Sequence, residues 1–306
     1  MDLSSGEESL AYAQVIPLKT VTVPPYTTTN AIVYGNQVFA VIDPGSPDVD
    51  DLSTLNHHIA QRIQSGHRCR GIFLTHHHGD HTKGACHLRD QFSLPIIAHK
   101  NACRHLNFSL DEMIDDDSCF VLDNTVSIKA LYTPGHADDH VTYFDEQRGC
   151  VMAGDMITDR GTVLIPPLEG NLALYLESLD RLAALPIKSI IPAHGNCITK
   201  NPKSFLLLAM KHRYERIYAI FLTLAKESTY KDATDITMMV YGSTIADNQI
   251  FFAQLSTESS LQWLKNIGLA ELVDYKWRCT NRDPEGRVIA DTIQAIDQRL
   301  KSILPN

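Results

Sequence analysis

Up to about residue 200 the chain alternates short apolar runs with turns rich in Gly, Pro and Asp; beyond it, apolar residues recur every three or four positions over long stretches. A period of two marks strands and a period near 3.6 marks helices. Residues 13–23 are rich in β-branched side chains and lack helical periodicity. Segments 31–34 and 38–42 read as strands joined by Gly35-Asn36-Gln37, a hairpin signal, and the second stops at Asp43-Pro44-Gly45. Leu52, Leu55, Ile59 and Ile63 predict a helix over 48–64. Strands follow at 69–74, 95–98 and 125–132, with a solvated acidic loop or helix face at 111–117. A second hairpin spans 140–144 and 149–153, and a last strand lies at 189–191. Between them, Leu172, Tyr175, Leu176, Leu179 and Leu182 put one helical face on 171–185. Three helices are then predicted at 205–226, 232–241 and 257–267. Segments 272–279 and 287–291 flank the turn-rich Asn281-Arg282-Asp283-Pro284-Glu285-Gly286 and suggest a closing hairpin.

Helix, helix, helix, hairpin is the order of a small winged-helix-like module, so the domains are placed at 1–199 and 200–306. A length of 306 residues suits one larger and one smaller domain. At 44% hydrophobic and 21% charged, the chain can bury a sizeable core. Its net charge of −9 excludes a protein that coats nucleic acid non-specifically, while leaving room for a local basic face. Met1-Asp2-Leu3-Ser4-Ser5-Gly6-Glu7-Glu8 is neither a secretory signal nor an Arg-rich transit peptide. No run approaches the ~20 apolar residues of a membrane span. The seven cysteines are scattered and form no Cys-x-x-Cys pair, which reads as reduced thiols in a cytoplasmic protein.

The chemistry concentrates in Thr75-His76-His77-His78-Gly79-Asp80-His81, after the apolar run Gly71-Ile72-Phe73-Leu74 and before a helix predicted to begin at His81. A solvated His-rich loop or a tag would not combine a preceding core strand with the Asp. In an extended loop His76 and His78 point the same way and can bind one ion, while Asp80 and His81 point elsewhere and can serve a second. His136, Asp155 and His194 each follow a predicted strand, and loops at the same ends of neighbouring strands cluster in space. Seven donors are too many for one tetrahedral ion and suit two ions roughly 3.5–4 Å apart. Without thiolates in these turns the set favours zinc, manganese or iron, zinc first. His77 is not counted as a ligand, and His140 and His105 have no motif support. A Gly-x-Ser-x-Gly elbow, a P-loop and a dinucleotide fingerprint are absent, and no Cys–His pair is evident.

Thr75 to His81, Thr133-Pro134-Gly135-His136, Gly154-Asp155 and Pro192-Ala193-His194-Gly195, in that order, resemble the metallo-β-lactamase-fold hydrolases over about residues 13–198. Val41-Ile42-Asp43-Pro44-Gly45 is similar to that superfamily's first motif, where the Asp supports the site from behind the ligands. The resemblance implies an αββα sandwich (α/β class) with a smaller, mostly helical winged-helix-like C-terminal domain. It also implies one metal on His76, His78 and His136, a second on Asp80, His81 and His194, and Asp155 between them. Asp80 and Asp155 then carry the catalysis, Asp80 by orienting a metal-bound hydroxide. His136-Ala137-Asp138-Asp139-His140, Gly161-Thr162-Val163, Tyr175, Ser178-Leu179 and the tail entered through His212-Arg213-Tyr214-Glu215-Arg216 resemble the β-lactamase-like protein 2 group, which includes single-strand endoribonucleases. Ile157-Thr158-Asp159-Arg160, Lys83 and Ala137 depart from that group's pattern around the substrate.

The leading expectation is a dinuclear hydrolase of phosphodiesters in single-stranded RNA. The alternative is a thioester or acyl hydrolase on the same metals, of acyl-carrier or glutathione type. A metal-stabilised binding module without turnover is the contrasting class. A homodimer is admitted, and no membrane partner is expected. Five basic residues, Lys200, Lys203, Lys211, Arg213 and Arg216, stand against the single acid Glu215 at the start of the tail. They would either draw in a polyanion or form a solvated helix face that packs the tail.

Overall fold

The computed structural model describes residues 5–242, 245–280, 282–283 and 285–304. The start of the acidic N-terminus, and Asn281 and Pro284 of the predicted turn, lie outside the described residues. A six-stranded sheet holds β1 (Ala13–Lys19), β2 (Thr28–Gly35), β3 (Val38–Ile42), β4 (Arg68–Phe73), β5 (Ile96–His99) and β6 (Glu112–Ile114) in that spatial order. It is antiparallel from β1 to β3 and parallel from β3 to β6. A five-stranded sheet runs β11 (Ser189–Pro192), β10 (Cys150–Gly154), β9 (Val141–Asp145), β8 (Ser127–Tyr132) and β7 (Cys119–Val121). Its pairs are antiparallel except β10 with β11.

Strand alternation explains why both faces of the first sheet are covered. Ile32, Tyr34, Ala40 and Ile42 face the second sheet and pack with Ile128, Tyr143 and Met152. Ala31, Val33, Phe39 and Val41 face the other way. There they meet Leu55 and Ile59 of α2 (Val49–Gln64) and Leu88 of α4 (Ala85–Phe92). The outer face of the second sheet, with Val151 and Ile190, is covered by Leu176, Leu179 and Leu182 of α5 (Leu172–Ala184). Asp48 and Asn171 cap α2 and α5 with side-chain oxygens, as their sequence positions suggest. Two short helices, α1 (Ser5–Ser9) and α3 (Gly79–Thr82), complete this αββα sandwich.

The C-terminal region is helical: α6 (Pro202–Ala225), α7 (Ala233–Tyr241), α8 (Ile250–Asn266) and α9 (Arg287–Ile303), with the hairpin β12 (Ala270–Val273) and β13 (Lys276–Cys279) before α9. Its apolar face is continuous with that of α5. One cluster runs from Leu179 through Leu206, Met210, Ile217 and Phe221 to Leu261, Trp277, Ile289 and Leu300.

Three expectations are corrected. Segment 287–291 is helical, because Ile289, Ile293, Ile296 and Leu300 repeat at helical spacing and pack into the core. The hairpin instead closes earlier, through Asp274 and Tyr275 at φ of 49° and 62°, a two-residue turn with no glycine to announce it. Within 111–117, Glu112–Ile114 is an edge strand, since Ile114 is buried between the sheets and Asp111 accepts the Ile96 N–H. The helix predicted to begin at His81 is two pieces, α3 and α4, parted where the Gly84 N–H donates to the Pro44 carbonyl at 2.7 Å. Among the described residues no helix is long and apolar enough to cross a membrane.

Candidate metal centre

Each predicted donor stands where a strand ends: the His motif after β4, His136 after β8, Asp155 after β10 and His194 after β11. Two glycines let these loops approach. A Cβ on Gly45 would lie 1.6 Å from the Asp80 carbonyl oxygen, so only glycine lets the turn after β3 sit against α3. Gly135, at φ 135°, places its Cα where a Cβ would come within 2.2 Å of the Tyr175 amide nitrogen. It therefore seats the His136 turn on α5.

The structure gathers the seven residues in three overlapping groups: His76, His78 and His136; Asp80, His81 and His194; and His76 and His81 with Asp155. His78 Nδ1 lies 2.9 Å from His76 Nε2 and 3.0 Å from His136 Nε2. These spacings are close to the edge of about 3.3 Å in a tetrahedron of Zn–N bonds. The outward partners fix the protons. His136 Nδ1 faces the Leu164 carbonyl at 2.8 Å, which can only accept. His78 Nε2 faces the Glu169 carboxylate at 3.2 Å. Thr75 Oγ1 donates to Asp43 Oδ2 and so accepts from His76 Nδ1 at 3.0 Å. With these tautomers, three imidazole lone pairs converge on one point, an arrangement a cation would satisfy.

The second group follows the same logic. His81 Nδ1 donates to Asp43 Oδ2 at 2.8 Å and His194 Nδ1 to the Thr28 carbonyl at 2.9 Å. Their Nε2 atoms lie 3.6 and 3.3 Å from Asp155 Oδ1, and 3.9 and 3.6 Å from Asp80 Oδ2. Asp155 Oδ2 lies 3.4 Å from His136 Nε2, so this carboxylate touches both groups. His81 Nε2 and Asp155 Oδ1 are buried without a hydrogen-bond partner, as expected of atoms meant for an ion. The donors therefore fit two divalent cations. Burial and neighbouring imidazoles hold His76 well below the ordinary histidine range. Burial alone would lower His81, but Asp43, Asp155 and Asp80 outweigh it and lift it to about 10. That field favours positive charge at His81 Nε2, whether a proton or a metal. Burial opposes ionisation of Asp155, yet His194 and His81 keep it well below the usual carboxylate range.

Several supporting residues were not legible beforehand. His140, set aside in the sequence, is buried and accepts the Asp155 N–H through Nε2 at 3.1 Å, with Thr133 Oγ1 on its Nδ1 at 3.0 Å. His77, not counted as a ligand from the sequence, has its Nδ1 2.8 Å from the buried Asp139 and its ring stacked on His105 at 4.1 Å. It also falls within ligating distance of His78 with Glu169 and of His105 with Asp138. Tyr26 lies 5.7 Å from the His194 ring, stacked, and donates to Asp159 at 2.7 Å, while Asn196 donates to the other Asp159 oxygen. The unusual Asp159 thus ties three loops around His194. Cys69 and Cys150 have thiols pushed up to about 12 by burial, which argues against a cysteine nucleophile at either.

His136, Asp155 and His194 form the floor of a cavity of about 520 Å³, with Val23, Pro24 and Tyr26 on one side and Arg216, Tyr241 and Phe252 of the C-terminal region on the other.

The profile of the Metallo-beta-lactamase superfamily matches residues 25–194, and the chain belongs to that superfamily. Among curated relatives, the chain is 31% identical over 176 residues to an atrochrysone carboxyl ACP thioesterase of Emericella nidulans, covering 57% of this chain and 54% of that one. It is 27% identical over 233 residues to a beta-lactamase-like protein 2 homolog of Caenorhabditis elegans, covering 72% and 74%. The chain spans about half the length of the first fungal relatives it matches. A beta-lactamase domain protein from Burkholderia ambifaria shares the fold, with a TM-score of 0.75 at 16% identity over 92% of this chain and 93% of that one.

Proposed function

We propose that the chain is a hydrolase of acyl compounds, thioesters foremost, with His76, His78 and His136 holding one divalent cation and Asp80, His81 and His194 a second, bridged by Asp155. Zinc is the expected ion. The observation that carries the reading is the set of converging imidazole and carboxylate lone pairs lining a cavity whose sides are partly apolar. Such a cavity suits a compact acyl group better than a polymer. When bound, the cations would lower the pKa of a water and polarise the scissile carbonyl. Asp80 Oδ2, near the Nε2 atoms of His81 and His194, would hold the second cation with them and would accept a hydrogen bond from an attacking water. Beside His194, Tyr26 stacks on the ring and Thr22 Oγ1 lies 3.3 Å from Nε2.

Cleavage of single-stranded RNA, which rests on the likeness to the beta-lactamase-like protein 2 homolog, gains little from the basic run at the start of the tail. Lys211 pairs with Asp297 at 2.6 Å and with Glu215, and Arg213 is buried and donates to the Val163 carbonyl. Arg213 thus ties the tail to the catalytic half, while Lys211 pairs α6 with α9 inside the tail. The thioesterase relative supports the acyl reading. We read residues 200–306 as a winged-helix-like unit whose place here is a cavity wall, the order of α6, α7, α8 and the hairpin supporting the name. The test is the zinc-loaded protein assayed against acyl thioesters of N-acetylcysteamine and glutathione and against end-labelled single-stranded RNA. Thioester turnover that a chelator abolishes is the expected result. RNA cleavage without thioester turnover would reverse the order of the two readings, and neither activity would leave a binding module.

A further inference from the structure

The cavity above the metal centre has a charge character its walls do not suggest. Beside the apolar Val23, Pro24 and Phe252, three guanidinium groups reach it, from Arg160, Arg213 and Arg216. Among its described lining residues the one carboxylate is Asp155, already turned to the cation positions. That is a local excess of positive charge in a chain of net charge −9. Arg213 is committed: it is buried and bonded to the Val163 carbonyl. Arg216 and Arg160 are not. The Arg216 guanidinium lies 5.2 Å over the Tyr241 ring and its Nε faces His212 Nε2 at 3.3 Å, with no carboxylate paired to it among the described residues. Arg160 stands at the lip with 76% of its side chain exposed, and its nearest carboxylate, Asp159 at 3.6 Å, already accepts from Tyr26 and Asn196.

A half-buried guanidinium over an aromatic ring, with no acid partner among the described residues, is arranged to receive two oxygens of one anion in a two-pronged bond. Apolar walls between that group and the reacting centre would bury the body of the same molecule. We infer that the cavity takes the acyl part of the substrate, and that this acyl part carries a carboxylate or phosphate held by Arg216 and Arg160, away from the scissile carbonyl. The reaction in this inference rests on the acyl-hydrolase reading; the anion site does not.

The experiment compares N-acetylcysteamine thioesters of dicarboxylic acids, from succinyl to suberyl, with monoacyl thioesters of equal chain length, using the zinc-loaded protein. At the best length the carboxylated series should lead in kcat/KM by about tenfold, the scale of one charge-assisted bond. Arg216→Leu and Arg160→Ala should each erode that lead, with the monoacyl substrates changing less than about twofold, and added salt should erode it too. Arg160→Ala, at an exposed lip, is the variant whose folding is not in question. An uncharged series that wins at every length, or a lead unchanged in both variants, overturns the inference. If no thioester is turned over, the reaction reading fails and calorimetric titration with phenyl phosphate and 3-phenylpropionate still decides the site. The preferred probe shows which anion it takes, and about tenfold weaker binding in Arg216→Leu supports it. Equal affinity in wild type and both variants assigns the binding to the cations alone and overturns the site, as does no binding.

Discussion

Asp43 touches no cation position directly, yet Asp43→Asn should damage both. Its Oδ1 accepts the Thr75 N–H at 2.8 Å, and its Oδ2 accepts Thr75 Oγ1–H at 2.7 Å and His81 Nδ1–H at 2.8 Å. In the asparagine the amide oxygen can keep the backbone bond, which puts the NH2 against two donors. For that to be tolerated, the His81 proton must move from Nδ1 to Nε2, the atom aimed at Asp155 and Asp80. Thr75 Oγ1 must at the same time accept from the amide and turn its own proton towards His76 Nδ1. That drives the His76 proton onto Nε2, which faces His78. Loss of such an outer partner costs about 10–100-fold in metal affinity. The frustrated donors should also lower folding stability by about 1–3 kcal/mol. The assay is competitive zinc titration against a chromophoric chelator, with circular dichroism to establish the fold. A folded Asp43→Asn protein holding both ions within about threefold of wild-type affinity would refute the tautomer argument.

Elemental analysis of protein never exposed to chelators should find about two ions per chain. Asp155→Ala, which strips the contact shared by both groups, should hold fewer; a wild-type count of one or none sinks the dinuclear proposal. Gly45→Ala must displace either the turn after β3 or α3, since its Cβ would lie 1.6 Å from the Asp80 carbonyl oxygen. A cost of about 1–3 kcal/mol and weaker metal binding at Asp80, His81 and His194 should appear in thermal melts and zinc titration, and an unchanged melt would contradict the packing. Arg213→Ala should destabilise by roughly 2–4 kcal/mol, through a vacated core position and an unpaired Val163 carbonyl. Combined with Lys211→Ala it should leave the salt slope of RNA affinity unaltered; a slope flattened by about two units would restore a phosphate-gripping tail.

The meeting of these seven side chains was legible because their residue types and spacings follow a pattern that survives without coordinates. His76 and His78 two apart, with Asp80 and His81 turning into a helix, is a local geometry. Strands with central apolar runs, such as 38–42 and 149–153, were legible for a similar reason: burial on both faces leaves a run of apolar side chains. Short edge strands were not. Glu112–Ile114 and Cys119–Val121 each span three residues, too few for periodicity, and Glu112 and Cys119 carry no strand signature. The support of the site was hidden for a different reason. His140 beneath Asp155, Glu169 beside His78 and Asp159 beneath Tyr26 are long-range meetings between loops, and their separation in sequence holds no spacing rule to read. The basic run showed its charge but not its partners, Asp297 and the Val163 carbonyl, which arrive from elsewhere in the chain.

The helix α6 does two jobs along a single rod. Leu206, Met210, Ile217 and Phe221 are ribs of the continuous core, while Arg213 and Arg216, among the same turns, reach the cavity. The two halves therefore cannot swing apart to admit a bulkier guest without exposing that core to water, a cost that grows with every rib uncovered. Pro24, Pro25, Arg160 and Gln249 are among the solvent-exposed residues of the cavity's lining. On the proposed reading, selection would work as a fixed gauge, set before any guest arrives, and substitutions on α6 to α8 would recut it while His136, Asp155 and His194 stay as they are.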